Sequence, residues 1–276
     1  MKFAVLSLFP EVITGGLVGL VGSAKEKGLY ELQVCDLRPF GKGPHKALDD
    51  VPYGGGDGML LQAEPLKEAL EQIRTSDPNF KDAKVICLSP KGKLWTQRQA
   101  WQWAQDDTPK ILVCGRYAGL DQRFIDECCD EEISIGDYIL NGGELGALVV
   151  MESVIRLKEG ALGNAQSSCV DSFGEGEGLL EAPQYTRPRQ WQGHEVPEVL
   201  LSGHHDHIAK WTRYMALLET AYRRPELLTS EVREELLKLL SATDTLALQT
   251  FKDFGEAKVE ELKARVCSWG EPYGRG

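Results

Sequence analysis

Ser134-Ile-Gly-Asp-Tyr-Ile-Leu-Asn-Gly-Gly-Glu-Leu-Gly146 joins an apolar run to a helical one through Gly136, Gly142 and Gly143. Glycines without a Cβ let a chain turn sharply and bring N–H and C=O groups against a small molecule. Backbone capture of a ligand is therefore the chemistry this loop offers, and a plain tight turn is the alternative. Val85-Ile-Cys-Leu-Ser-Pro-Lys-Gly92 and Ile111-Leu-Val-Cys-Gly-Arg-Tyr-Ala-Gly119 have the same form, each running from a β-branched apolar stretch into Gly, Pro or Arg. Three loops of one kind favour ligand binding over coincidence.

The elements that must position these loops follow from periodicity. Short Val/Ile/Leu-rich runs predict strands near 3–8, 31–36, 84–88, 110–114 and 131–135, and amphipathic stretches predict helices near 11–27, 64–75, 96–105, 121–128 and 144–157. Such alternation predicts an α/β fold with a parallel sheet, whose ligands lie outside the carboxyl ends of the strands. The three loops are at those ends and can share one pocket. From Gly160 to Glu181 the composition turns to Gly, Ser, Asn, Asp and Glu around Gly174-Glu-Gly-Glu-Gly178, as expected of a flexible linker or lid. Residues 205–223, 225–240 and 244–266 then have helical periodicity, predicting a small C-terminal helical domain.

Composition excludes several classes. With 276 residues and a formal net charge of −11, the chain can bury a large core, and its overall field disfavours coating nucleic acid or membrane. The seven cysteines, Cys128 and Cys129 among them, form no C-x-x-C pair and no regular framework, and are read as reduced thiols. No stretch approaches transmembrane length and the apolar N-terminus is too short for a signal peptide, so a cytoplasmic protein is expected. Neither G-x-G-x-x-G nor G-x-x-x-x-G-K-[ST] occurs in the context that phosphate binding needs, and Gly54-Gly-Gly-Asp-Gly58 reads as a loop. His204-His-Asp-His207 lacks a partner cluster, so no metal site is assigned. Trp95, Trp101 and Trp103 read as core or interface.

Pro52-Tyr-Gly-Gly-Gly-Asp-Gly-Met59, Gly115-Arg-Tyr-Ala-Gly-Leu-Asp121, Ser134 to Glu144, Asp171-Ser-Phe173, Pro183-Gln-Tyr-Thr-Arg-Pro188 and Val199-Leu-Leu-Ser-Gly-His204 follow one another along nearly the whole chain. In this order they resemble the bacterial tRNA (guanine-N1)-methyltransferases, SPOUT-type enzymes that methylate the guanine at position 37, just 3′ of the anticodon. The resemblance implies a deep trefoil knot in residues 1–160, a linker or lid over 161–182, a tRNA-binding helical domain over 183–276, and a homodimer with active sites at the subunit interface. It implies S-adenosylmethionine as cofactor, with magnesium an open second one, and tRNA as substrate. The family's glutamate in the Arg-Tyr-Glu-Gly turn is replaced here by Ala118, so any contact it makes to RNA or magnesium is missing or moved. A methyltransferase of another RNA, or an RNA-binding homologue without turnover, are the alternatives.

Methylating guanine N1 requires removal of a proton while negative charge grows towards O6, so a base and a cation must reach the base edge. By resemblance Asp171 is the general base and Arg156 polarises O6; on residue type alone, a capping acid and a surface ion pair are the plainer readings. The cofactor is expected on Leu88, Ser89, Pro90, Gly115, Arg116, Tyr117, Gly119, Ile135, Gly136, Tyr138, Leu140, Gly142 and Gly143. RNA contacts are expected from Arg187, Arg189, His204, His205, Lys210, Arg213, Arg223 and Arg224, a local basic face within an acidic total, with Asp50 ordering the RNA-facing side.

Overall fold

In the computed structural model the described residues are 1–55, 57–162, 171–174 and 176–267, and the chain divides into two compact units at residue 165. The first unit runs β1 (Lys2–Ser7), α1 (Pro10–Gly15), α2 (Gly19–Glu26), β2 (Glu31–Asp36), short β3 (Asp49–Asp50) and β4 (Leu60–Leu61), α3 (Ala63–Ser76), β5 (Lys84–Leu94), α4 (Gln97–Gln105), β6 (Lys110–Cys114), α5 (Gln122–Cys128), β7 (Glu131–Ser134) and α6 (Glu144–Ile155). Five strands form one sheet in the order β2-β1-β6-β5-β7, every neighbouring pair parallel, as the α/β reading expected.

The strands are apolar throughout because both faces are covered. Alternation sends Phe3, Val5, Ile86, Leu112 and Ile133 to one layer, with Ile13 of α1, Ala100 of α4 and Ala147, Val150, Met151 and Val154 of α6. Ala4, Leu6, Val85, Ile111 and Val113 face the other, with Leu66, Ala69, Leu70 and Ile73 of α3 and Phe124 of α5. Trp95 and Trp103 meet edge to face with centroids 4.7 Å apart, and the Trp95 indole donates to Ser153 Oγ at 2.9 Å, consistent with a packing role.

Several expectations are corrected. The helix expected over 11–27 is two, because Gly16 closes α1, Val18 is extended and Gly19 lies at φ 58°. β5 runs past residue 88: Leu88 and Lys93 both pair with Ile133, so residues 89–92 loop out of an otherwise continuous strand. Gly92 makes the return possible, since a Cβ there would lie 2.4 Å from the Ile133 amide nitrogen. The reading of all cysteines as reduced thiols fails for one pair: Cys87 of β5 and Cys129, just beyond α5, are joined by a disulfide, with Cα atoms 6.2 Å apart. They are adjacent because Cys87 points into the α3/α5 layer, which sequence separation concealed. Cys35, Cys114 and Cys128 are free.

In the second unit β8 (Gln190–Trp191) and β9 (His194–Glu195) form a hairpin, followed by α7 (Glu198–Leu201), α8 (His205–Arg223), α9 (Ser230–Leu240), α10 (Thr245–Phe254) and α11 (Glu256–Cys267). Trp211, Met215 and Leu218 of α8 pack against Leu236 and Leu239 of α9, Ala247 and Phe251 of α10, and Val259 and Leu262 of α11. The helix expected over 225–240 starts later, at Ser230, where the Thr229 side chain accepts from the Val232 amide. Residues 244–266 are two helices because Gly255, at φ 107°, breaks the spiral. Residues 163–170 and Glu175, within the expected linker, and Gly56 of the glycine run lie outside the described residues. No helix among the described residues is long and apolar enough to cross a membrane.

Candidate active site

The loop that bulges from β5 after Leu88 and the carboxyl ends of β6 and β7 open onto a cavity of about 290 Å³. All thirteen residues expected at a cofactor, from Leu88 to Gly143, line it, together with Ala118, Ile133, Ser134, Ile139, Asn141 and Gly146. The loop after β6 is held by β4 and its approach: Leu61 N–H donates to the Gly119 carbonyl at 3.0 Å and Ala118 N–H to that of Met59 at 2.8 Å. Tyr117 is left-handed at φ 57° and Gly119 lies at φ 118°, so the loop folds back and Gly119 N–H donates to the Arg116 carbonyl. After β7, the Ser134 hydroxyl accepts from Gly136 N–H at 3.3 Å, and Tyr138 Oη donates to the Ile135 carbonyl at 3.3 Å.

These two loops touch. Gly143 N–H donates to the Gly115 carbonyl at 2.9 Å, and Arg116 and Gly142 form an antiparallel bridge. The glycines serve this approach: a Cβ on Gly143 would lie 2.8 Å from Cys114 Cα, and one on Gly142 2.3 Å from Arg116 Nε. The sequence reading attributed both glycines to ligand approach, whereas at Gly143 close backbone packing between the loops already requires the glycine, and at Gly142 a Cβ would displace the Arg116 and Glu144 side-chain ends.

Arg116 is committed to the protein. Its Nε donates to Glu144 Oε1 at 3.2 Å, Nη2 lies 2.9 Å from Glu144 Oε2, Nη1 donates to the Asn141 carbonyl at 3.4 Å, and the guanidinium stacks on the Phe9 ring at 4.2 Å. Glu144, 1 % exposed at the start of α6, also accepts from Ser7 Oγ at 2.7 Å. Sequence reasoning missed Ser7, Phe9 and Glu144 as parts of the site; an acid opening an otherwise apolar helix was the available signal. Burial, reinforced by the Glu144 carboxylate, pushes the Cys114 thiol well up, so it stays neutral beneath the loop.

The chemistry of this lining is restrictive. Arg116 is its one ionisable side chain apart from the phenols of Tyr117 and Tyr138, and Glu144 neutralises it. Among the described residues the cavity offers backbone polar groups, apolar walls and aromatic faces, but no cation free to meet a phosphate and no carboxylate or imidazole to move a proton.

The other expected site residues lie outside this lining. Arg156 caps the C-terminus of α6, its N–H donating to the Glu152 carbonyl at 3.1 Å. Asp171 opens a turn in which its carbonyl accepts from Gly174 N–H at 2.9 Å, with Phe173 at φ 63° donating its N–H to the Leu179 carbonyl. Asp50 accepts from Val51 N–H at 2.8 Å beside the exposed loop carrying Tyr53. Among the expected RNA contacts, Arg213 is held by Glu177 and Glu235, Arg223 by Glu219, and Arg224 by Glu226. Lys210 lies over Tyr214 at 5.4 Å, and a hydrogen bond with that residue raises its pKa. His204 stands at the N-cap position of α8 without a side-chain capping hydrogen bond, and His205 is the helix's first residue. Arg187 and Arg189, flanking Pro188, form no ion pair among the described residues.

Comparison with known proteins is consistent with this architecture. The family model described as tRNA (Guanine-1)-methyltransferase TrmD matches residues 1–230. A tRNA (guanine-N(1)-)-methyltransferase of Stenotrophomonas maltophilia is 47 % identical over 234 residues, covering 84 % of this chain and 91 % of its own. Those of Geobacillus kaustophilus and Anaplasma phagocytophilum are 45 % and 46 % identical, covering 83 % and 85 % of this chain and 91 % and 98 % of their own. With a family model spanning most of its length and relatives this similar, the chain belongs to the tRNA (guanine-1)-methyltransferase family.

Proposed function

We propose that this chain transfers a methyl group from S-adenosylmethionine to N1 of the guanine at position 37 of tRNA. The match of the family model over residues 1–230 carries this reading. The cavity supports the donor. A nucleoside without phosphates, bearing an amino-acid tail, suits a lining of backbone groups and aromatic faces whose one cation is already paired. A dinucleotide or nucleoside triphosphate would meet no such fit. Among the described residues no cluster of three histidine, cysteine or carboxylate groups is placed to hold a magnesium ion.

S-adenosylmethionine supplies an activated methyl on a sulfonium, so the protein's task is placement and proton removal. The loops ending in Pro90, Gly119 and Gly143 fix the donor, and in-line approach of N1 supplies much of the rate. Because the lining holds no base, the proton acceptor comes from outside it: Asp171 takes the N1 proton, and Arg156 stabilises charge growing on O6. The target guanine leaves its stack to present that edge. On this reading residues 1–160 form the knotted donor-binding domain, 161–182 a lid and 183–276 the tRNA-binding domain, in a cytoplasmic homodimer with active sites at the subunit interface. Apolar Leu145 and Val149, exposed one turn apart on α6, support a second copy.

Incubation with S-adenosylmethionine and an unmodified tRNA transcript, followed by nucleoside analysis, tests this function. We expect 1-methylguanosine; a different methylated nucleoside, or none, contradicts it.

A further inference from the structure

Glu144 is a carboxylate buried beneath the methyl-donor cavity but absent from its lining. Burying such a charge is costly unless it is paired and hydrogen-bonded. Here it is paired on two sides, by the Ser7 hydroxyl at the end of β1 and by Arg116 in the loop after β6. The Arg116 contact with Oε2 is a close approach of charges at 2.9 Å without a well-aligned hydrogen bond, so this half of the pair depends on charge more than on direction. Through Arg116 the carboxylate also holds Asn141, whose carbonyl accepts from Nη1, and Gly142, which has no room for a Cβ beside the guanidinium.

We propose that Glu144 is a positioning residue for the methyl-donor site: acting through Arg116, it sets the separation of the β6 and β7 loops between which the donor is bound. Three strand ends converge on this one carboxylate, and two of them carry donor-binding backbone. Arg116 accordingly serves the donor through its backbone and its grip on Asn141, while its cation is spent inside the protein. Loss of the charge at residue 144 releases the guanidinium into the cavity and lets the two loops separate, and the donor loses backbone contacts on both. Ser7 limits how far the carboxylate can turn.

This inference rests on the reading of the cavity as a methyl-donor site, and the test separates the two. Calorimetric titration of the wild-type protein with S-adenosylmethionine comes first; absence of binding defeats that reading and this inference with it. With wild-type binding established, Glu144→Gln keeps the shape and an acceptor for Ser7 but removes the charge. We expect its donor Kd and KM to rise by roughly 10–100-fold, the equivalent of a lost charged hydrogen bond, with kcat at saturating donor changed less than about threefold. In Arg116→Met the donor Kd rises similarly, and the double variant is no worse than the weaker single, because both changes cut one link. A purely structural role would lower the melting temperature of Glu144→Gln while leaving its donor Kd within twofold of wild type, and that result overturns the proposal. Should Glu144→Gln fail to fold, Ser7→Ala removes one partner and keeps the ion pair; a severalfold rise in donor Kd is expected, and an unchanged Kd overturns it.

Discussion

Individual residues divide the work between holding the donor and moving the proton. Among the described residues lining the proposed donor cavity none is a proton acceptor, so in the proposed mechanism Asp171 carries that task. Asp171→Ala is expected to leave the Kd for S-adenosylmethionine within about twofold and to lower methyl transfer by roughly 10²–10⁴-fold, the usual worth of a general base; single-turnover rates against calorimetric affinity check the split. Gly142→Val acts differently. Its side chain would drive into Arg116 and Glu144 at 2.3 and 2.5 Å, and the resulting overpacking, about 1–3 kcal/mol, is expected to weaken donor affinity measurably in the same titration. That the thirteen residues expected at a cofactor line one cavity was legible, because strand ends and glycines leave local marks in sequence. Ser7 and Phe9 were not, since they reach Arg116 and Glu144 only after β1 is placed beside β6.

At the scale of elements, the sheet puts the cavity and a buried ion pair at opposite ends of β6. At the start of that strand the Lys110 side chain is fully buried, donating to Asp106 Oδ2 at 2.9 Å and to the Thr108 carbonyl at 2.6 Å. Burial alone would raise the Asp106 pKa, but hydrogen bonds from Thr108 and Lys110 outweigh it and hold the carboxyl well below the usual range. A depressed folded pKa gives stability that is complete above the unfolded value, near 4, and is lost as pH falls towards the folded one. The Asp106 side chain is partly exposed, so solvent screening trims the pair. Asp106→Asn is therefore expected to cost roughly 1–2 kcal/mol at pH 7, with the difference from wild type shrinking below about pH 4; urea denaturation across that range measures it. The strands and the order of the helices were readable from periodicity. The breaks at Gly16 and Gly255, the return of β5 at Gly92 and the Cys87–Cys129 disulfide were not, because each depends on a neighbour or a backbone angle that apolar patterning does not encode.

For the whole molecule, the acidic total and the expected RNA-binding face stand in tension. Arg213, Arg223 and Arg224 each have carboxylate partners, so binding a phosphate backbone means exchanging those partners for phosphates, whereas Arg187 and Arg189 have no carboxylate partner among the described residues to exchange. The proposed dimer is the second whole-molecule claim. Leu145 and Val149, 53 % and 46 % exposed, are neighbours on α6 and leave apolar surface that a second copy would cover. Leu145→Glu is expected to halve the mass seen by sedimentation, to the 30.6 kDa of one chain, and to abolish transfer if the active site needs both copies. An unchanged mass removes α6 from the interface.

The most direct test of the account compares two unmodified tRNA transcripts that differ only at position 37, one with guanine and one with adenine, incubated with the protein and labelled S-adenosylmethionine. The account predicts label in the guanine transcript alone, recovered as 1-methylguanosine. Equal label in both transcripts, or label in neither while the donor is bound, contradicts it.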